Sequence, residues 1–218
     1  MVGRGIYEFS TDAKVVKIST IIAFSVVFLA LIIGYMIAVF LGTTNYNMLD
    51  NYISDMGNSE HTPFPYMRTI GNVISGPLFI PLTLYIRKQF FIQIQENDKK
   101  SPKSVNLGFI GMITIFIGMM MTGIITLDVN LVVHSTIATI TILAGCIATI
   151  SYGYTILRYQ TTISKIIGIY MVSILPIIVL LFMTGFPSYI FYEWVLLFSF
   201  YAWMILISIQ LLSKKEKR

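Results

Sequence analysis

The run ISTIIAFSVVFLALIIGYMIAVFL, residues 18–41, decides the fold. From Ile18 to Leu41 it carries no charge, and it exceeds the roughly 20 apolar residues with which a helix crosses a bilayer. It is too long for the core of a signal peptide. The Thr43-Thr44-Asn45-Tyr46 stretch behind it is no small-residue cleavage site, so the run reads as a retained helix. Five further uncharged runs follow, at about 69–86, 104–127, 131–157, 166–186 and 194–212. The Gly185-Phe186-Pro187-Ser188 break divides the last two. The expectation is an all-α, polytopic bundle of six transmembrane helices, a single integral membrane domain over residues 1–218.

Composition agrees. The chain is 56% hydrophobic and only 11% charged, where a soluble domain carries about 25% charged residues. A net charge of +5 raises the question of nucleic acid, but the basic residues sit at the ends of apolar runs and form no phosphate-reading patch, so nucleic acid is excluded as a partner. A single cysteine, Cys146, rules out an intrachain disulfide framework and a multi-cysteine metal site.

Charge placement sets the orientation. Every lysine and arginine except Arg68 falls on the side of the termini, while the acidic residues divide evenly between the two sides. Because basic residues stay cytoplasmic during insertion, both termini are expected in the cytoplasm. The loop Arg87–Lys103 is expected there too, hydrophilic and mobile. On the outer side Tyr46, Tyr52, Tyr66, Tyr189, Tyr192 and Trp194 are expected to form an interfacial aromatic belt.

Small residues mark packing faces. Gly108, Gly111, Gly118 and Thr122 in the third span, and Ala138, Thr141, Gly145 and Ala148 in the fourth, recur at helical spacing. They suit close packing within the chain or a homo-oligomer. Pro77 and Pro81 in the second span and Pro176 in the fifth are expected to kink their helices.

The candidate site gathers on the outer side. The first loop, Tyr52-Ile53-Ser54-Asp55-Met56-Gly57-Asn58, continues through Glu60 and His61; Arg68, Asn72 and Ser75 then share one face of the second helix. Asp128 and Asn130 lie in the turn before the fourth helix, and His134 opens it on the small-residue face. Each has a structural reading beside the functional one. Asp128 or Asn130 suits an N-cap, Ser54–Gly57 a turn with Gly57 at positive φ, and Arg68 a snorkelling position. His134, an ionisable residue inside a span, is the most pointed candidate.

Three chemistries stand open. His61, Asp128 and His134 are metal-ligand types, but without an HExxH pair; no cofactor is clearly implied. Ser54, His134 and Asp128 (or Asp55) are the residue types of a hydrolase, though no G-x-S-x-G elbow surrounds Ser54. For recognition, Arg68 with Asn72 suits a lipid phosphate, and Asp55, Asp128 and His134 suit a cationic or hydroxylated head group. No chain of acidic residues crosses the bundle, which disfavours a proton-coupled transporter.

The Tyr52-Ile53-Ser54-Asp55-Met56-Gly57 run, the proline-containing stretch after it and His134-Ser135-Thr136-Ile137-Ala138 resemble the DRAM-like family. These are the damage-regulated autophagy modulators, the GPI-lipid-remodelling relatives and uncharacterised prokaryotic six-helix proteins. The resemblance covers the first four helices. It implies a lipid-related membrane role centred on Ser54, Asp55, Gly57 and His134 without naming a reaction, and the sequence departs from the animal pattern over Asn58–Pro65. The expectation is a membrane protein that binds or organises lipid head groups. The alternatives are a membrane-embedded lipid hydrolase or remodelling enzyme and, third, a small-solute transporter.

Overall fold

The computed structural model describes residues 2–43, 45–98 and 102–213. Among them the chain is all helical with no strand, and six helices are long and apolar enough to cross a membrane. The chain is a multi-pass membrane protein. The basic tail Lys214–Arg218 and the Lys99 and Lys100 positions of the charge count lie outside the described residues.

A short helix, α1 (Val2–Ser10), precedes the first span and exposes Ile6 and Phe9, one turn apart, as an interfacial helix would. Asp12 then caps α2 (Ala13–Leu41), its carboxylate accepting from the Lys14 and Val15 N–H groups at 2.9 and 3.1 Å. The cap starts the helix ahead of the apolar run, with Lys14 and Lys17 in its first turns. At its other end Gly42 passes so close to the Ala38 and His61 carbonyls that any side chain there would collide with them.

The second span is longer than the apolar run. It comprises α3 (Tyr66–Leu78) and α4 (Ile80–Asp98), broken at Phe79 between Pro77 and Pro81. Phe79 is fully buried and stacks on Phe116 with ring centres 4.8 Å apart. The stretch expected as a mobile loop from Arg87 is therefore helix up to Asp98. Phe90 and Ile94 are core residues on one face. Arg87 bonds the Asn106 side chain and lies over the Phe91 and Phe109 rings at 5.2 and 4.8 Å. Gln93 accepts from the Thr162 N–H at 2.8 Å, so packing against the rest of the chain carries the helix on past the apolar run.

The other spans are α5 (Lys103–Ile124), α6 (Leu131–Arg158), α7 (Lys165–Thr184) and α8 (Phe191–Leu212). α5 and α6 form the most extensive helix pair. Gly111 faces the Ala144 carbonyl and Ala148, and Gly118 faces Thr141, so the small-residue faces meet each other within the chain. Gly145 departs from that seam and faces the Phe200 ring of α8. Lys165 Nζ donates to the Ile156, Leu157 and Tyr159 carbonyls, closing the C-terminus of α6. Six crossings return the chain to the side on which it began. The end bearing residues 42–65 is the loop end.

Half of the expected aromatic belt lies inside. Trp194 is buried against Tyr35 and donates to the Asn51 carbonyl at 3.0 Å, and Tyr46 and Tyr192 are also buried. Tyr52, Tyr66 and Tyr189 remain exposed. Trp194 and Tyr46 hold the long loop through the Asn51 and Tyr52 carbonyls, while Tyr192 donates to the Phe186 carbonyl before α8.

Candidate functional site

Residues Ile53–Gly57 form one turn of 3-10 helix at the loop end. Asp55 makes it, its carboxylate accepting from the Tyr52 N–H at 2.8 Å. The turn sends Ile53 and Met56 inward, each 1% exposed, into a cluster with Leu31, Ala38, Tyr46 and Trp194. Ser54 and Gly57 are left facing a cavity.

Two carboxylates from other elements fix this loop. Glu193, in the first turn of α8, accepts from the Ile53 N–H at 3.1 Å. Asp128 accepts from the Ser59 N–H at 3.0 Å. Asp128 thus ties the loop to the α5–α6 turn, and the N-cap of α6 is Asn130, which accepts from Val133 N–H at 3.0 Å. Gly57 does not take positive φ; among the described residues Gly185 alone does. Nor does packing require glycine at position 57, because a Cβ added there would meet nothing within 4 Å.

The cavity holds about 110 Å³, room for several waters or a small polar group. Its apolar floor includes Ile115, Met119, Phe200 and Met204, and its polar groups include Ser54, Arg68, Asn72, His134 and Glu193. Thr122, Thr126 and Thr141 add hydroxyls to the wall. Arg68 and Glu193 act on each other electrostatically, yet no ion pair within 4 Å joins them among the described residues. Asn72 is 5% exposed and its side chain makes no hydrogen bond among the described residues. Ser75 is fully buried one turn further on, outside the cavity lining, with its hydroxyl also unpartnered.

His134 is 6% exposed and its Nδ1 lies 2.6 Å from the Ile125 carbonyl oxygen. A carbonyl only accepts, so Nδ1 carries a proton and donates it to Ile125. A Ser54–His134–Asp128 relay would need Asp128 on Nδ1. That position belongs to Ile125, and Asp128 is engaged by Ser59. His61 is half-buried and acts on Asp55 electrostatically but lines neither cavity nor groove. Among the described residues no group of three or more His, Cys, Asp or Glu side chains is arranged to hold a metal ion. Burial pushes the Asp55 carboxyl above the ordinary aspartate range, against the opposing pull of the Tyr52 N–H, His61 and the Asn51 side chain.

A second space meets the first. A groove of about 1290 Å³ runs beside α6, α7 and α8. Asp55, Glu60 and Asp128 line its mouth, and Ile142, Ile150, Leu175, Ile178 and Val179 line its length. On α6 it extends from Leu131 to Ile150, about 28 Å at the rise of a helix. Ser54, Leu127, His134, Ala138, Glu193 and Leu196 line both spaces, so groove and cavity are continuous.

A family model described as a protein of unknown function, DUF998, matches residues 23–210. The chain belongs to the DUF998 family. The match runs from within the first span to within the sixth of this DUF998 chain and includes the whole of the cavity and groove lining, where the DRAM-like resemblance covered the first four helices only. No curated protein matches the chain, and no solved structure does. The family established is thus an uncharacterised one, and no DRAM-like protein is among its matches.

Glu193 is the residue that sequence reasoning missed. It counted only as an outer-side charge because the sixth helix was expected to begin at Trp194. The helix begins at Phe191, which makes Glu193 an ionisable residue inside a span, the signal that singled out His134.

Proposed function

We propose that this protein binds membrane lipids of the outer leaflet, with the head group in the loop-end cavity and an acyl chain in the groove. The reading rests on the continuity of the two spaces through Ser54, His134 and Glu193. A water-soluble ligand needs no apolar trough about 28 Å long, whereas one leaflet's share of the hydrocarbon core is about 15 Å, within the groove's reach. A phospholipid brings both halves of the match. Its phosphate meets Arg68 and Asn72 in a site of low dielectric, where charge-assisted hydrogen bonds are strong. The DRAM-like motif resemblance at Ser54–Gly57 and His134 points to the same lipid role, and the positive-inside charge pattern supports an outer-side loop end.

The test is native mass spectrometry of protein extracted in mild detergent. Wild type retains a phospholipid at about one per chain, and Arg68→Ala lowers retention about tenfold or more, the worth of a hydrogen bond to a charged group. Arg68→Lys restores part of it as a point charge. Equal retention in wild type and Arg68→Ala, at equal thermal stability, contradicts the reading.

A further inference from the structure

The charged groups along this path name the class of head group, an inference that rests on the lipid-binding reading above: Arg68 faces the cavity together with Glu193, and carboxylates alone face the groove. Arg68 is the basic residue of the cavity lining and makes no hydrogen bond or ion pair among the described residues. Beside it Asn72, 95% buried, lines the same cavity with its amide unpartnered. Arg68, partly buried, and the Asn72 amide both face the cavity with N–H donors to spare, which suits an anionic, oxygen-rich group.

The mouth of the groove has carboxylates, those of Asp55, Glu60 and Asp128, and no lysine or arginine beside them. Asp55 and Asp128 each give an oxygen to a loop N–H, at 2.8 and 3.0 Å. Glu60 is exposed and its carboxylate makes no hydrogen bond among the described residues. His61 acts on Asp55 but stands off the groove lining, so it does not reverse the sign. A head group carrying only negative charge would meet the three carboxylates of the mouth beyond its phosphate, and like charges repel. A phosphodiester followed by an ammonium satisfies both ends in the order they occur. The tail lies in the groove, the phosphate at Arg68 and Asn72, and the ammonium at the carboxylates.

We infer that the site selects zwitterionic, ammonium-bearing phospholipids over anionic ones. Delipidated protein in mild detergent would be titrated with phosphatidylethanolamine or phosphatidylglycerol of identical acyl chains, and occupancy read by native mass spectrometry. The expected result is a preference of about tenfold for the ethanolamine lipid, lost in Asp55→Asn/Glu60→Gln while occupancy by phosphatidylglycerol is kept. The single variant Glu60→Gln, at an exposed position without a structural bond, gives an intermediate preference. Equal or tighter binding of phosphatidylglycerol by wild type overturns the inference and leaves lipid binding standing, as does a preference unchanged in both variants. Binding of neither lipid sinks the lipid reading itself. Displacement of the bound lipid by equimolar soluble glycerophosphoethanolamine would make a free solute the ligand and overturn both.

Discussion

At the scale of single residues, the site is built by giving ordinary side chains unusual neighbours. Asp55 both shapes the 3-10 turn and lines the groove, and burial holds its carboxyl above the ordinary aspartate range. The sign follows from linkage: a carboxyl whose folded value is raised favours the folded state at low pH, and that contribution is lost as pH rises through the folded value. Thermal unfolding in detergent across a pH series should therefore show a fall above the ordinary aspartate range in wild type. Asp55→Asn, which can still accept from the Tyr52 N–H, should flatten it. A fall of equal size in Asp55→Asn would show that other groups carry the pH dependence. Sequence reading found Arg68, Asn72 and His134 because spacing and ionisability inside spans are legible along the chain. It could not find that His134 Nδ1 bonds a backbone carbonyl, because Ile125 offers no side-chain signal. It left Asp128 and Asn130 as equivalent caps, since either oxygen suits that role; only the path of the loop over Asp128 separates them.

At the scale of elements, backbone approach decides more than hydrophobicity does, since lipid supplies no hydrophobic drive between helices. A Cβ at Gly111 would lie 2.8 Å from the Ala144 carbonyl and 3.0 Å from the Ala148 Cβ. Gly111→Leu should destabilise the α5–α6 pair by about 1–3 kcal/mol, the usual cost of overpacking. Gly57→Ala, with open space around the added methyl group, should be close to neutral. Thermal stability of both in the same detergent checks the contrast, and equal effects would refute the close-packed seam. The six spans were legible because charge is confined to their ends. Their boundaries were less so at two places, both for local reasons. Asp12 caps α2 ahead of the apolar run, and a buried Phe90–Ile94 stripe carries α4 through a polar stretch that reads as loop.

At the scale of the whole molecule, the helices separate beside α6 on the side of the loop and close again where Lys165 clamps the end of α6 to α7. A trough of this kind cannot be read from hydropathy, because residues lining it are as apolar as those facing lipid. Ile142 and Val179 do not announce which surface they serve. What the chain does reveal is the polar end of the trough, since Asp55, Glu60 and Asp128 stand out against so few charges. The most direct test is photocrosslinking in vesicles with a phospholipid bearing a diazirine in its acyl chain, followed by peptide mapping. The account predicts adducts concentrated at residues 142–150 and 175–182, and their loss in Arg68→Ala, which removes the head-group anchor while leaving the groove intact. Adducts spread evenly over every lipid-facing helix, or unchanged in Arg68→Ala, would contradict it.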